Sequence, residues 1–143
     1  MWVRTLLTVP SNADALAEAL LRLTPQVLND LAQAASHDGG QVHTHLAPPV
    51  CRGAITTLHL RWWADHDRSL TPSLDGELEL RPLGVEATEL AITAQYRCRE
   101  SLRELADSVF LRRVAESVVR GFLDSLVQSL EPATRALAVP GRA

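Results

Sequence analysis

The feature that most constrains this chain is a long amphipathic segment near its C-terminal end. From about Ser108 to Leu130, Leu111, Val114, Ala115, Val118, Val119, Phe122, Leu126 and Leu130 recur at steps of three and four. That is the helical period, and it draws a wide apolar stripe along one side. Arg112, Glu116, Arg120, Asp124 and Gln128 are spaced four apart on the other side. Neighbours there have opposite sign and support the helix by a few tenths of a kcal/mol per pair, roughly. Such a helix is about 35 Å long at 1.5 Å per residue, enough to cross a small domain. Its apolar side needs a surface to cover, and the preceding residues have to supply one.

They read mostly as strands. Residues 2 to 9 form the first, with Val3, Leu7 and Val9 on one face and Pro10 ending it. Ser11, three residues before Asp14, is placed to cap a helix whose apolar side is Leu16, Ala19, Leu20 and Leu23. Thr24-Pro25 starts a second helix, with proline at the first helical position and Val27, Leu28 and Leu31 inward. His37 to Gly40 is a break, after which the period changes to two. Val42, Thr44 and Leu46 alternate with Gln41, His43 and His45, and Pro48-Pro49 forces a turn or an edge. Further strands are predicted over 54–64, 76–83 and 87–97, with a loop at 65–73. Strict alternation means a sheet covered on one side only, and the last helix is the obvious cover. Residues 101–107 are a short helix or the bent start of the long one, and the pattern ends after Glu131-Pro132.

A length of 143 residues predicts one domain, 1–132, with a tail at 133–143. A net charge of -3 argues against a nucleic-acid partner. All fourteen basic residues are arginine, which excludes Schiff-base and lysine-nucleophile chemistry. Cys51 and Cys98 make no disulfide framework and have no activating neighbour in the sequence, so buried or idle thiols are expected. No signal-peptide pattern and no charge-free window of membrane-span length is present, so the expectation is a cytoplasmic protein without a membrane span.

Strand, two short helices, a run of antiparallel strands and one long terminal helix: this order resembles the START-like helix-grip fold, also called SRPBCC. Val9-Pro10-Ser11 before a helix resembles the family's opening strand and turn, and Leu60-Arg61-Trp62 its central strand. The run from Gly76 to Gly84 resembles the later hairpin, and Arg113 to Leu123 the long helix of small bacterial members. The resemblance implies an α+β fold in which a curved antiparallel sheet wraps the C-terminal helix. Two departures stand out. Only four strands follow the helix pair where the family has six, so two short ones hide at 47–54 and 65–75 or the grip is smaller. After Tyr96-Arg97 the chain carries Cys98 to Leu102 in place of a proline- and glycine-bearing loop.

The resemblance also implies a cavity between sheet and helix, lined by Leu58, Leu60, Trp62, Leu78, Leu80, Leu90, Ile92 and Tyr96, with Val114, Val118 and Phe122 opposite. Either that space holds an apolar ligand with Tyr96 as the orienting polar group, or it is a filled core. His43, His45 and His59 share the other strand face, and His43 opposite His59 would bring two imidazoles together. A solvated ladder competes there with a zinc site, and no carboxylate or thiolate at matching spacing favours the metal. Trp62 and Trp63 are adjacent, so one points outward, beneath a loop or into a partner surface such as a homodimer's. Asp65, His66 and Asp67 are neighbours in a loop with no nucleophile placed beside them, and Gly39-Gly40 lacks the context of a phosphate loop. No catalytic residue, metal or cofactor is assigned. The expected function is non-enzymatic binding of a lipid or other hydrophobic small molecule. A polyketide cyclase/dehydrase-like enzyme and an interaction module without a pocket are the alternatives.

Overall fold

The structure is a computed structural model that describes residues 2–36, 42–64, 73–97 and 108–137; side chains are described for 2–35, 42–63, 73–97 and 109–130. The elements in chain order are β1 (Trp2–Val9), α1 (Ala13–Leu21), α2 (Pro25–Ser36), β2 (Val42–Leu46), β3 (Val50–Arg52), β4 (Ile55–Ala64), β5 (Ser73–Gly84), β6 (Ala87–Arg97) and α3 (Ser108–Leu137). This is the α+β helix-grip architecture: an antiparallel six-stranded sheet with helices on one side. The strands lie in the order β1-β6-β5-β4-β2, with β3 pairing the far end of β4. β3 is one of the short strands expected within 47–54. Cys98, the Asp65-His66-Asp67 cluster, Gly39-Gly40 and the segment 101–107 lie outside the described residues.

Alternation sorts each strand into two faces. Leu58, Leu60 and Trp62 on β4, Leu74, Leu78 and Leu80 on β5, and Leu90, Ile92, Ala94 and Tyr96 on β6 are all buried. The intervening residues of β4 and β5, from His59 to Trp63 and from Asp75 to Arg81, face outward. β5 begins three residues earlier than the alternation around Gly76 predicts, because Leu74 continues the inward series.

The helix starts are set by side chains. Asn12, not Ser11, caps α1: its Oδ1 accepts from Asp14 N–H at 2.9 Å and Ala15 N–H at 3.3 Å. Its Nδ2 donates to Val85 O at 3.1 Å, and Thr88 Oγ1 donates to Ser11 O at 2.7 Å, which ties the β5–β6 hairpin to the β1–α1 corner. Thr24 and Pro25 open α2 as the sequence predicts, with Thr24 Oγ1 accepting from Val27 N–H.

α3 packs against β1, α1 and α2 and touches β6. Its buried residues are Leu111, Ala115, Val118, Val119, Phe122, Leu123, Leu126 and Leu130. At 100° per residue they fill an arc of roughly 140°. The arc is displaced to one side of the stripe that the sequence spacing predicts. Val114, predicted to face the sheet, is 38% exposed, whereas Leu123 on the opposite flank is fully buried. The two helices α1 and α2 give α3 apolar neighbours on the Leu123 side that a helix lying on a sheet alone would lack. α3 also continues through Pro132 to Leu137. Proline removes the bond to residue 128, and Gln128 is exposed, where water can take up its carbonyl.

Candidate functional site

Of the eleven residues expected to line a cavity, Leu58, Leu60, Trp62, Leu78, Leu80, Leu90, Ile92, Tyr96, Val118 and Phe122 are brought together in one buried cluster. Trp62 and Phe122 meet edge to face at 5.0 Å, which joins the centre of the sheet to the middle of α3. The Trp62 indole N–H is buried there with no hydrogen-bond partner among the described residues, an arrangement that costs about 1–3 kcal/mol.

A cavity of about 310 Å³ opens beside this cluster. Its helical wall is the α1–α2 turn, with Leu20, Leu21, Leu23, Pro25 and Leu28, and its other wall is the open edge of the sheet, Thr44 to Pro48, with Leu58 behind. Leu58 is thus the predicted lining residue that borders it, and among the described residues none of α3 does. Sequence spacing predicts Leu20, Leu23 and Leu28 as inward residues and Pro25 as a helix start, and assigns Leu21 no place. Leu21 did carry a signal, since it is a leucine at a helix end that falls off the face drawn by Leu16, Ala19, Leu20 and Leu23.

Sequence dictates how the edge is held. Asn29 and Gln33 are four apart on α2 and lie over β2. Gln33 Oε1 accepts from Val42 N–H at 2.9 Å, and Asn29 Oδ1 accepts from Thr44 N–H at 2.7 Å and Thr44 Oγ1–H at 2.6 Å. Two side chains therefore stand in for a missing neighbouring strand. They hold α2 against β2 and leave the cavity where that series stops.

On the outer face the histidines are spread out. His43 pairs with Trp63 and His45 with Arg61, while His59 lies beyond, accepting Ala47 N–H at its carbonyl. His43 and His59 are not opposite each other because β3 intervenes between β2 and β4 in the chain and shifts the register. His43 stacks on Trp63 at 5.8 Å, Arg61 lies 5.7 Å from the same ring, and His59 Nε2 is 2.9 Å from Asp75 Oδ1. Trp63 is the outward tryptophan, 41% exposed, and Trp62 the buried one. Among the described residues no group of three His, Cys, Asp or Glu side chains is placed to hold a metal ion. Cys51 is exposed on β3, with its Sγ 3.7 Å from Thr56 Oγ1; burial was one of the two expectations for it. No helix among the described residues is long and apolar enough to cross a membrane.

Fold and cavity together define a helix-grip protein with an apolar recess at the open edge of its sheet. No family model matches the sequence, nor does any curated protein. Solved structures share the fold. A conserved protein from Geobacillus kaustophilus is similar over 93% of this chain and 97% of its own, with a TM-score of 0.61 and 11% identity. A protein from Thermus thermophilus is similar over 94% and 99%, with a TM-score of 0.56 and 14% identity. The Zhui aromatase/cyclase from a Streptomyces species is similar over 100% and 99%, with a TM-score of 0.53 and 17% identity. The START-like fold expected from the resemblance is the fold these comparisons return.

Proposed function

We propose that the protein binds a hydrophobic small molecule in the cavity between the α1–α2 turn and the β2 edge, and performs no chemistry on it. The cavity carries this reading. Its walls are leucine, proline and alanine apart from Thr44 and His45, and 310 Å³ stands at the lower end of the roughly 300–1,000 Å³ typical of ligand sites. That size suits a compact ring system or a single short acyl chain better than a two-chain lipid.

A cyclase needs a polar group in the cavity to steer or protonate its substrate. The Thr44 hydroxyl is committed to Asn29, and alternation turns the His45 side chain to the outer face beside Arg61. Binding without catalysis fits these walls better. Titration with a fluorescent hydrophobic probe tests the reading. Uptake by the native chain is expected to fall at least tenfold in Leu21→Trp, because Leu21 borders the cavity yet is 57% exposed and tolerates a larger side chain. Equal uptake by both proteins, or none by either, would contradict it.

A further inference from the structure

The β2 side of the cavity follows the strand's main chain. Thr44, His45, Leu46 and Ala47 are consecutive and alternate between faces, so one cavity borders all four along the strand's open edge. Ala47 N–H donates to His59 O at 2.9 Å, which sets the phase of the ladder. His43, His45 and Ala47 turn their amides toward β4, and Val42, Thr44 and Leu46 turn theirs off the edge. Gln33 and Asn29 take the first two of these three.

The match between helix and strand explains why they do. Four helical residues rise about 6.0 Å and two strand residues about 6.7 Å, so the two repeats stay nearly in step. Residue 33 meets 42, residue 29 meets 44, and the next rung joins residue 25 to Leu46. Residue 25 is proline, which has no side-chain acceptor, and it borders the cavity. Leu46 is half-buried, and its N–H therefore faces the cavity without an acceptor among the described residues.

We propose that the ligand carries a carbonyl or carboxylate oxygen that accepts a hydrogen bond from Leu46 N–H, with its apolar body against Leu20, Leu28 and Leu58. This rests on the cavity being the ligand site. It makes the specificity element a main-chain donor, exposed because α2 starts with proline where an asparagine or glutamine would close the series.

Three probes with one ring system separate the terms: ethylnaphthalene, acetylnaphthalene and naphthalene carboxylate, titrated into the ¹⁵N-labelled chain. The acetyl and carboxylate probes are expected to bind about tenfold tighter than the ethyl probe, the usual size of one such bond. The Leu46 amide proton should move downfield with these two alone. A gain for both marks a neutral oxygen as sufficient, and a larger gain for the carboxylate marks its charge as an added contribution. Leu46→Pro deletes the N–H at an edge position where no ladder bond is lost, and should erase the tenfold gain while ethylnaphthalene still binds. Leu46→Ile keeps the N–H and should keep the gain. If Leu46→Pro does not fold, the three probes on the native chain decide. Equal affinity for all three, or a gain with the Leu46 amide unmoved, overturns the proposal and leaves the cavity reading standing. Failure of every probe to bind removes the cavity reading itself.

Discussion

Replacing Gly76 with alanine should damage the fold more than the same change at any other described glycine. Gly76 lies inward on β5, opposite Ala94 of β6 and Leu60 of β4. A Cβ built there falls against Thr93 O, Ala94 Cα and Ala94 Cβ, nearer than real side chains approach other atoms. Two of these three are main-chain atoms of a strand clamped between β1 and β5, so no rotamer change relieves the clash and the sheet itself must open. Overpacking usually costs about 1–3 kcal/mol, and a backbone obstruction belongs at the upper end, about 3 kcal/mol. For a chain of this size each kcal/mol shifts Tm by about 2–4 °C, so the fall should be about 10 °C. Gly121→Ala is the matched control. It lies on α3 with no atom of the described residues within 4 Å of the added one, and should gain about 0.5–1 kcal/mol. Adding Ala94→Gly to Gly76→Ala removes the Cβ–Cβ clash alone and should recover part of the loss. Thermal unfolding followed by circular dichroism in one buffer reads all four proteins. A Gly76→Ala variant melting within about 2 °C of the parent would refute the close approach of β5 and β6.

Other outcomes follow from the same packing. Asn29→Ala strips the acceptor from Thr44 N–H and Oγ1–H and should cost about 1–3 kcal/mol in urea unfolding; a cost near zero would mean that α2 does not hold the β2 edge. Leu123→Ala should cost about 2–5 kcal/mol, whereas Val114→Ala should cost less than about 1 kcal/mol, and the reverse order would show α3 rotated from the facing found here. Phe122→Asp places a charge against Trp62 and should abolish the folded state, as judged by loss of the amide dispersion in NMR; a variant as stable as the parent would contradict its central position.

Much of the fold was legible because its periods are clean. Strand alternation places Leu58, Leu60 and Trp62 on one face, and the three-and-four spacing in α3 identifies most of its buried residues. The misplacement of Val114 and the omission of Leu123 share one cause. A helical wheel reports the centre of an apolar arc well, but its flanks depend on what lies beside the helix, here α1 and α2. β3 was visible only as one of two alternatives, since three exposed residues, Val50 to Arg52, have no alternation to read. The recess at the sheet edge was hidden for a different reason. Its walls depend on where the α1–α2 turn rests relative to the β2 edge, and that is fixed by Asn29 and Gln33 reaching main-chain amides far along the chain. Nothing in the local pattern distinguishes such a pair from two solvated polar residues on a helix.

A crystal soaked with a brominated naphthalene would locate the ligand site, because bromine reports its own position through anomalous scattering. One strong peak is expected in the recess bounded by Leu28, Leu46 and Leu58. A peak lodged instead on the outer face near Trp63, or no ordered bromine at any concentration the crystal tolerates, would contradict it.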